Sequence, residues 1–261
     1  MATVDEARIG EAENSLRDML ALNSLSGKSF LDIGSGSGLF SLAARRLGAR
    51  VHSFDFDPQS VACTRELQQR YFPDDDLWTI AEGSVLDKAY VGSLGRFDVV
   101  YSWGVLHHTG DLFSALENAA IPLESGSRLF IAIYNDQGFK SRFWRGVKRV
   151  YCSGIVGRQL VKLTFVPCFA LQAITIGIIR HRNPLGYFSH YKQRRGMSVY
   201  YDWIDWLGGY PFEVAKPEEV FHFYRERGCS LTNLTTTNRL GCNEFVFQKT
   251  KDRPVDLAIK G

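Results

Sequence analysis

Hydrophobic positions change their period along the chain, and the changes divide it into elements. From Asp5 to Asn23 the residues Ile9, Leu16 and Leu20 share one stripe at helical spacing, and Ser26-Gly27 reads as the stop. Short apolar runs follow: SFLDI (29–33), VHSFD (51–55), FDVVYS (97–102) and RLFIAIY (128–134). Helical patterns separate them at Leu39 to Leu47, Gln59 to Tyr71 and Asp111 to Ala120. Strand alternating with helix predicts a parallel sheet covered by helices on both faces. Near the end, KPEEVFHFYRERGC places Pro217 early in a further helix. SLTNLTTT and NEFVFQKT then read as two strands that close the sheet as an antiparallel pair.

Between those two parts the pattern is different. Phe139, Phe143, Val147, Val150 and Tyr151 fall at helical spacing, with Lys140, Arg142, Arg145, Lys148 and Arg149 on the opposite face, which predicts a basic amphipathic helix. Leu163 to Ile179 then runs for 17 residues without a charge, with Pro167 and Gln172 inside it. That is the lower limit for a bilayer span of about 17 to 25 residues. A helix lying in a membrane interface or covering a pocket is therefore preferred to one that crosses, and an internal helix of a lid stays open beside it.

Charge sharpens this division. Twelve of the 31 Lys and Arg lie between Gln137 and Tyr201, where there is no Asp or Glu, leaving 19 cations against 28 acids elsewhere in the 261 residues. Such segregation of sign points to an anionic partner, with a solvated basic face as the plain alternative. An anionic membrane surface contacted through 137–201 is the partner expected. RNA would also suit clustered cations, but no RNA-binding module is recognised and nucleic acid ranks behind.

The five cysteines, Cys63, Cys152, Cys168, Cys229 and Cys242, are scattered, odd in number and without a C-x-x-C pair, so neither a disulfide framework nor a metal site is suggested. With an acidic, polar beginning, MATVDEARIGEAENS, this reads as a reduced, cytoplasmic protein. The basic segment leaves open, beside the cytoplasmic reading, a peripheral place at the inner face of the membrane.

The most informative stretch is FLDIGSGSG (30–38), a strand running into a glycine turn that opens a helix. Glycines there let backbone approach a ligand where a Cβ would collide. A dinucleotide fingerprint would place its third glycine at position 39, which is Leu39; the spacing found is G-x-G-x-G, with Asp32 two places before Gly34. That favours S-adenosylmethionine over a nicotinamide cofactor. Asp55 ends the next strand, 23 residues after Asp32, placed to accept hydrogen bonds from both hydroxyls of a ribose, and Phe56 could pack on an adenine face.

Over Ser29 to Asn135 the chain resembles the class I S-adenosylmethionine-dependent methyltransferases, through FLDIGSGSG, FDFDP, EGSVLD and FDVVYSWGVLHHTG. More widely it is similar to bacterial methyltransferases labelled as ubiquinone-type quinone O-methyltransferases. The resemblance implies a Rossmann-like, seven-stranded, mostly parallel α/β sheet with an antiparallel last strand and a helical insertion after the fifth strand. Residues 1–136 would be the cofactor-binding core, 137–214 the insertion and 215–261 the completion of the sheet. It further implies that Gly34, Ser35, Gly36 and Gly38 floor the methionine part of the cofactor and that Asp55 holds the ribose. Gly83, Ser84 and Val85 would flank the adenine, and the backbone at Ser102 and Trp103 would meet the methionine amino group. Where many relatives have Asp, this chain has Ser84, so a serine hydroxyl or the Val85 amide would serve in its place.

His107 and His108 follow the fourth strand, at the carboxyl edge where open α/β sheets bind ligands, and either has the ordinary pKa of a general base. One of the pair is expected to pack or cap, with His108 slightly preferred as the base. Candidate acceptor contacts are Tyr134 and Asn135 at the end of the fifth strand, and Tyr201, Asp202, Tyr210 and Glu213 in the aromatic block after the basic segment. The expected activity is methyl transfer to a hydroxyl of an amphipathic small molecule, such as a quinone precursor or a lipid- or sugar-linked acceptor. Transfer to thiol, nitrogen or carbon uses the same loop, and a non-catalytic protein that kept the fold is the rival of another class.

Overall fold

In the computed structural model, residues 4–181, 183, 187–188 and 199–250 are described. They fall into two compact units, one of residues 4–137 with 214–250 and one built on the described residues of 138–213.

The larger unit is a seven-stranded sheet: β1 Ser29–Ile33, β2 Arg50–Asp55, β3 Trp78–Glu82, β4 Phe97–Trp103, β5 Leu123–Tyr134, β6 Cys229–Thr235 and β7 Cys242–Lys249. The order is β3-β2-β1-β4-β5-β7-β6. The first five strands run parallel, β7 is antiparallel to β5, and β6 is antiparallel to β7. The helices of this unit are α1 Glu6–Leu20, α2 Leu39–Arg46, α3 Pro58–Tyr71, α4 Lys88–Ser93 and α5 Leu112–Ala119. In the second unit α6 is Phe139–Cys152, α7 Ile155–His181 and α8 Val199–Gly208; α9, Pro217–Glu226, returns to the sheet.

Side chains on the strands alternate between two cores. Leu31, Ile33, Val100, Leu129 and Ile131 enter one with α5 and α9, while Phe30, Val99, Tyr101 and Phe130 enter the other with α1 and α2. This is the period of two that a sheet buried on both faces demands. Each fully buried Leu, Ile or Phe contributes about 1.5–3 kcal/mol of transfer free energy.

Three departures from the sequence pattern have physical reasons. The first helix ends at Leu20, where Ala21 takes a left-handed conformation (φ 50°) and its amide caps the Arg17 carbonyl, well before Ser26-Gly27. The edge strand β3, WTIAE, is buried chiefly at Trp78 and has no clean alternation to announce it. In α6 the predicted faces are partly reversed: Lys148 is buried, whereas Phe139, Phe143 and Val150 are exposed.

The chain leaves and re-enters the larger unit through adjacent, bonded strands of backbone. The Ala215 amide donates to the Tyr134 carbonyl at 3.0 Å and the Asp136 amide to the Ala215 carbonyl at 3.2 Å, beside a parallel bridge between Asn135 and Ala215.

Candidate functional site

Parallel strands end together at one edge of the sheet, and the loops leaving β1, β2, β3 and β4 meet there. The amides of Gly34 and Ser35 both donate to the Phe54 carbonyl, at 2.8 and 3.1 Å. Gly34 has φ 78°, and a Cβ built on it would sit 2.5 Å from both Val105 methyls, so glycine is required on two counts. The Asp55 carboxylate finishes the turn: one oxygen accepts the Gly36 amide and the other the Asp57 amide, each at 2.9 Å. A carboxylate oxygen has two lone pairs, so each retains one for a further donor. Phe56 beside it is 78% exposed.

Beneath the loop, Asp32 is buried and its oxygen accepts the Ser41 hydroxyl at 2.5 Å. Ser41 lies 2.7 Å from the Ser53 hydroxyl, which accepts the Trp78 indole N–H at 2.9 Å. The donors can thus all point toward Asp32, from β3 through β2 and α2. Burial still outweighs the Ser41 hydrogen bond and pushes the Asp32 carboxyl up to about 7, with the Asp55 charge adding to the rise. The Ser35 hydroxyl lies 3.1 Å from that of Thr64, which reaches the Gly36 carbonyl at 3.3 Å.

After β3, the Gly83 amide donates to the Asp55 carbonyl at 3.0 Å, tying this loop to the preceding one. A Cβ on Gly83 would enter the Tyr90 ring, 2.3 Å from its nearest carbon. The Ser84 hydroxyl accepts the Leu86 amide at 3.2 Å, and the buried Val85 carbonyl accepts from the Asn118 side chain at 2.9 Å. After β4, the Ser102 hydroxyl is spent on the Ile33 carbonyl at 3.0 Å. Trp103 lies in register with Ala132, which lies in register with Glu244; across that small residue the indole N–H donates to the Glu244 carboxylate at 2.9 Å.

The two histidines occupy a 3-10 turn at Leu106–His108. His107 is fully buried, with its ring centre 4.0 Å from that of Tyr134; His108 is half-buried, 5.4 Å from Tyr134 and edge-on to it. Asn135 is buried in a network of its own: its amide donates to the Thr237 carbonyl at 2.7 Å and its oxygen accepts from Asn243 at 3.1 Å. Both ends of the Asn135 amide therefore serve the β6–β7 connection.

The structure thus brings Asp32, the glycine loop, Asp55, Phe56, Gly83 to Val85, Ser102, Trp103, both histidines and Tyr134 into the larger unit. Tyr201, Asp202, Tyr210 and Glu213 belong to the helical unit. There Tyr201 is 68% exposed, the Tyr210 hydroxyl accepts from Arg149 Nε at 3.2 Å, and Glu213 has one carboxylate oxygen closed off from solvent. Ser41, Ser53, Thr64, Trp78 and Glu244 were not read from the sequence as parts of the site. Their partners lie 9 to 141 residues away, and register alone reveals them.

A glycine turn after β1 with a carboxylate ending β2, in a sheet of this order, defines a Rossmann-like α/β fold. Residues 31–129 match the family model described as a methyltransferase domain. The chain is 29% identical over 125 residues to a ubiquinone biosynthesis O-methyltransferase of Methylobacterium sp. (strain 4-46), covering 46% of each. It is 37% identical over 78 residues to a ribosomal protein L11 methyltransferase of Psychrobacter sp. (strain PRwf-1), covering 26% of this chain and 25% of the other. The chain therefore spans less than half the length of these curated relatives. Among solved structures, magnesium protoporphyrin IX methyltransferase from Synechocystis PCC 6803 with bound SAH superposes with a TM-score of 0.55. It is 14% identical, over 95% of this chain and 89% of that one. The resemblance carried by the motifs is met by the family model and by the fold.

Proposed function

We propose that the protein is a methyltransferase that uses S-adenosylmethionine and acts on a hydroxyl of an amphipathic small molecule. The observation that carries the cofactor assignment is the Asp55 carboxylate, which closes the glycine turn through Gly36 while keeping acceptor capacity for two ribose hydroxyls. The Gly34 to Gly38 turn supplies backbone without side-chain bulk, and exposed Phe56 offers a face for the adenine. The bound cofactor supplies an electrophilic methyl group on a sulfonium; the chain must bind it, align the acceptor and take a proton. His108 is assigned the proton-accepting role, since it is the histidine of the pair that is not fully buried. His107, packed on Tyr134, would then position it. Support for an oxygen acceptor comes from the relatives named as ubiquinone biosynthesis O-methyltransferases.

Calorimetric titration with S-adenosylmethionine, its demethylated product and NAD tests the cofactor assignment. Binding of the first two with no response to NAD is expected, and Asp55→Ala should weaken it by about 1–3 kcal/mol, as for hydrogen bonds to a charged group. Unchanged affinity in that variant would move the ribose elsewhere. With quinols, glycosides and thiols as acceptors, His108→Ala should lower kcat by about 10²–10⁴ at unchanged cofactor affinity.

A further inference from the structure

We infer that the helical unit carries a docking surface for an anionic lipid bilayer, formed by α6 and α7 together. Helix α7 is the one described helix long and apolar enough to cross a membrane, yet only 11% of its apolar window is buried. Its exposed residues fall in register: Val156, Leu160, Leu163, Pro167, Leu171 and Ile178 recur at intervals of three, four and seven, the spacing of one helix face. Val156 is 83% exposed. The opposite face holds Val161, Phe165 and Phe169, which pack with Tyr151 of α6 and Leu207 of α8. The apolar stripe is thus what remains after the unit has built its own core.

Helix α6 extends the same surface. Phe139, 74% exposed, with Phe143 and Val150, forms a second apolar stripe. A groove of about 480 Å³ joins the two, lined by Phe143, Val150, Leu160 and Phe165, with Arg142 at its rim. Exposed apolar area of this extent on a soluble surface marks an interaction site. The charge selects the partner: Lys140, Arg142, Arg145 and Arg149 are exposed on the helix that carries the stripe, and no acid lies between Gln137 and Tyr201. Four others of the twelve cations, Arg182, Lys192, Arg194 and Arg195, lie outside the described residues. Apolar side chains beside cations fit a bilayer interface with anionic headgroups, and a phosphate backbone would leave the aliphatic stripe of α7 without a partner.

The helix lies on the membrane and does not cross it. Its uncharged stretch from Leu163 to Ile179 is about 26 Å long at 1.5 Å per residue, only at the lower limit for a hydrocarbon core of about 30 Å. Moreover, α6 is packed along α7, so insertion would carry Arg142 and Arg149 into hydrocarbon.

Sedimentation of the full chain with phosphatidylcholine vesicles containing or lacking phosphatidylglycerol tests this, at low and high salt. Binding that requires the anionic lipid and weakens with salt is expected. Leu163→Glu with Leu171→Glu, at exposed positions, should reduce it at least about tenfold, since the apolar face is what enters the interface. Lys140→Gln with Arg142→Gln should reduce it by about the same factor. Circular dichroism and gel filtration of each variant establish that the fold is kept. Four results would overturn the proposal: equal sedimentation of wild type and the stripe variant, no preference for anionic vesicles, resistance to alkaline extraction as for a spanning helix, or a stable dimer that the stripe substitutions dissociate.

Discussion

Asp32 in the sheet unit and Lys148 in the helical unit are both buried, and the two are handled in opposite ways. Asp32 in the sheet unit has a prepared row of donors, Ser41, Ser53 and Trp78, aligned toward it. Lys148 in the helical unit donates to the Trp206 carbonyl and lies 3.9 Å from the centre of the Trp206 ring and 5.0 Å from that of Phe212. Burial lowers its ammonium to about 8, partly countered by Asp205. In the sheet unit the apolar residues are inside and the buried carboxyl is hydrogen-bonded to a helix beneath the glycine turn. In the helical unit one set of apolar residues faces outward, and a lysine shares the aromatic core formed by the rest. Amphipathicity shows that two faces of a helix differ; which of them is inside depends on what the helix meets.

The largest effect that would break this contrast is at Asp32. Between its ordinary value of 3.8 and about 7 the folded chain holds a proton that the unfolded chain has released. The stabilisation is therefore complete below pH 3.8 and lost as pH rises through about 7, on the order of 4 kcal/mol in all. Asp32→Asn should remove that part of the slope, measured as the difference between the two proteins in urea titrations across this range. An unchanged slope would mean that the carboxyl is ionised in the folded protein.

Next in size is Gly34→Ala, which combines a left-handed backbone with a methyl group driven against Val105 and should cost about 2–4 kcal/mol. Loss of cofactor binding in calorimetry is expected with it. For Lys148 the sign is reversed: from pH about 8 to 10.5 the unfolded chain binds the extra proton, so stability rises with pH by on the order of 3 kcal/mol. Lys148→Met should abolish that rise at little cost in stability, because an apolar isostere replaces a buried charge. Hydrogen exchange at the amides of α6 and α8 reads this unit separately from the sheet. Smallest is Trp103→Phe, which removes the hydrogen bond to Glu244 and should cost about 0.5–1.5 kcal/mol in chemical denaturation.

What could be read beforehand follows the same contrast. Strands β1, β4 and the second half of β5 stood out because their residues enter two cores in turn and are mostly apolar, and β2 because Val51 and Phe54 lead into Asp55. The glycine turn and Asp55 stood out because backbone conformation and ligand approach restrict those positions to particular residue types. Strand β3 escaped notice because an edge strand buries little. Ser41, Ser53, Thr64 and Glu244 escaped because ordinary serines, threonines and glutamates acquire a role only when pairing places them beside Asp32, Ser35 or Trp103. In α6 the period was legible and its orientation was not, since Trp206 and Phe212, the rings that surround Lys148, lie some 60 residues further along.

The junction at Tyr134, Asp136 and Ala215 has a consequence of another kind. Because the outgoing and returning backbones are hydrogen-bonded to each other, the sheet meets the 76 residues of Gly138–Glu213 as a closed loop with fixed ends. Lengthening such a loop adds closure entropy only logarithmically, about 0.6 kcal/mol per doubling. Gene segments of very different size can therefore be spliced in at this point at little cost to the parent scaffold. The inserted unit can thus be resized or exchanged at this point while the sheet and its glycine turn are left as they are.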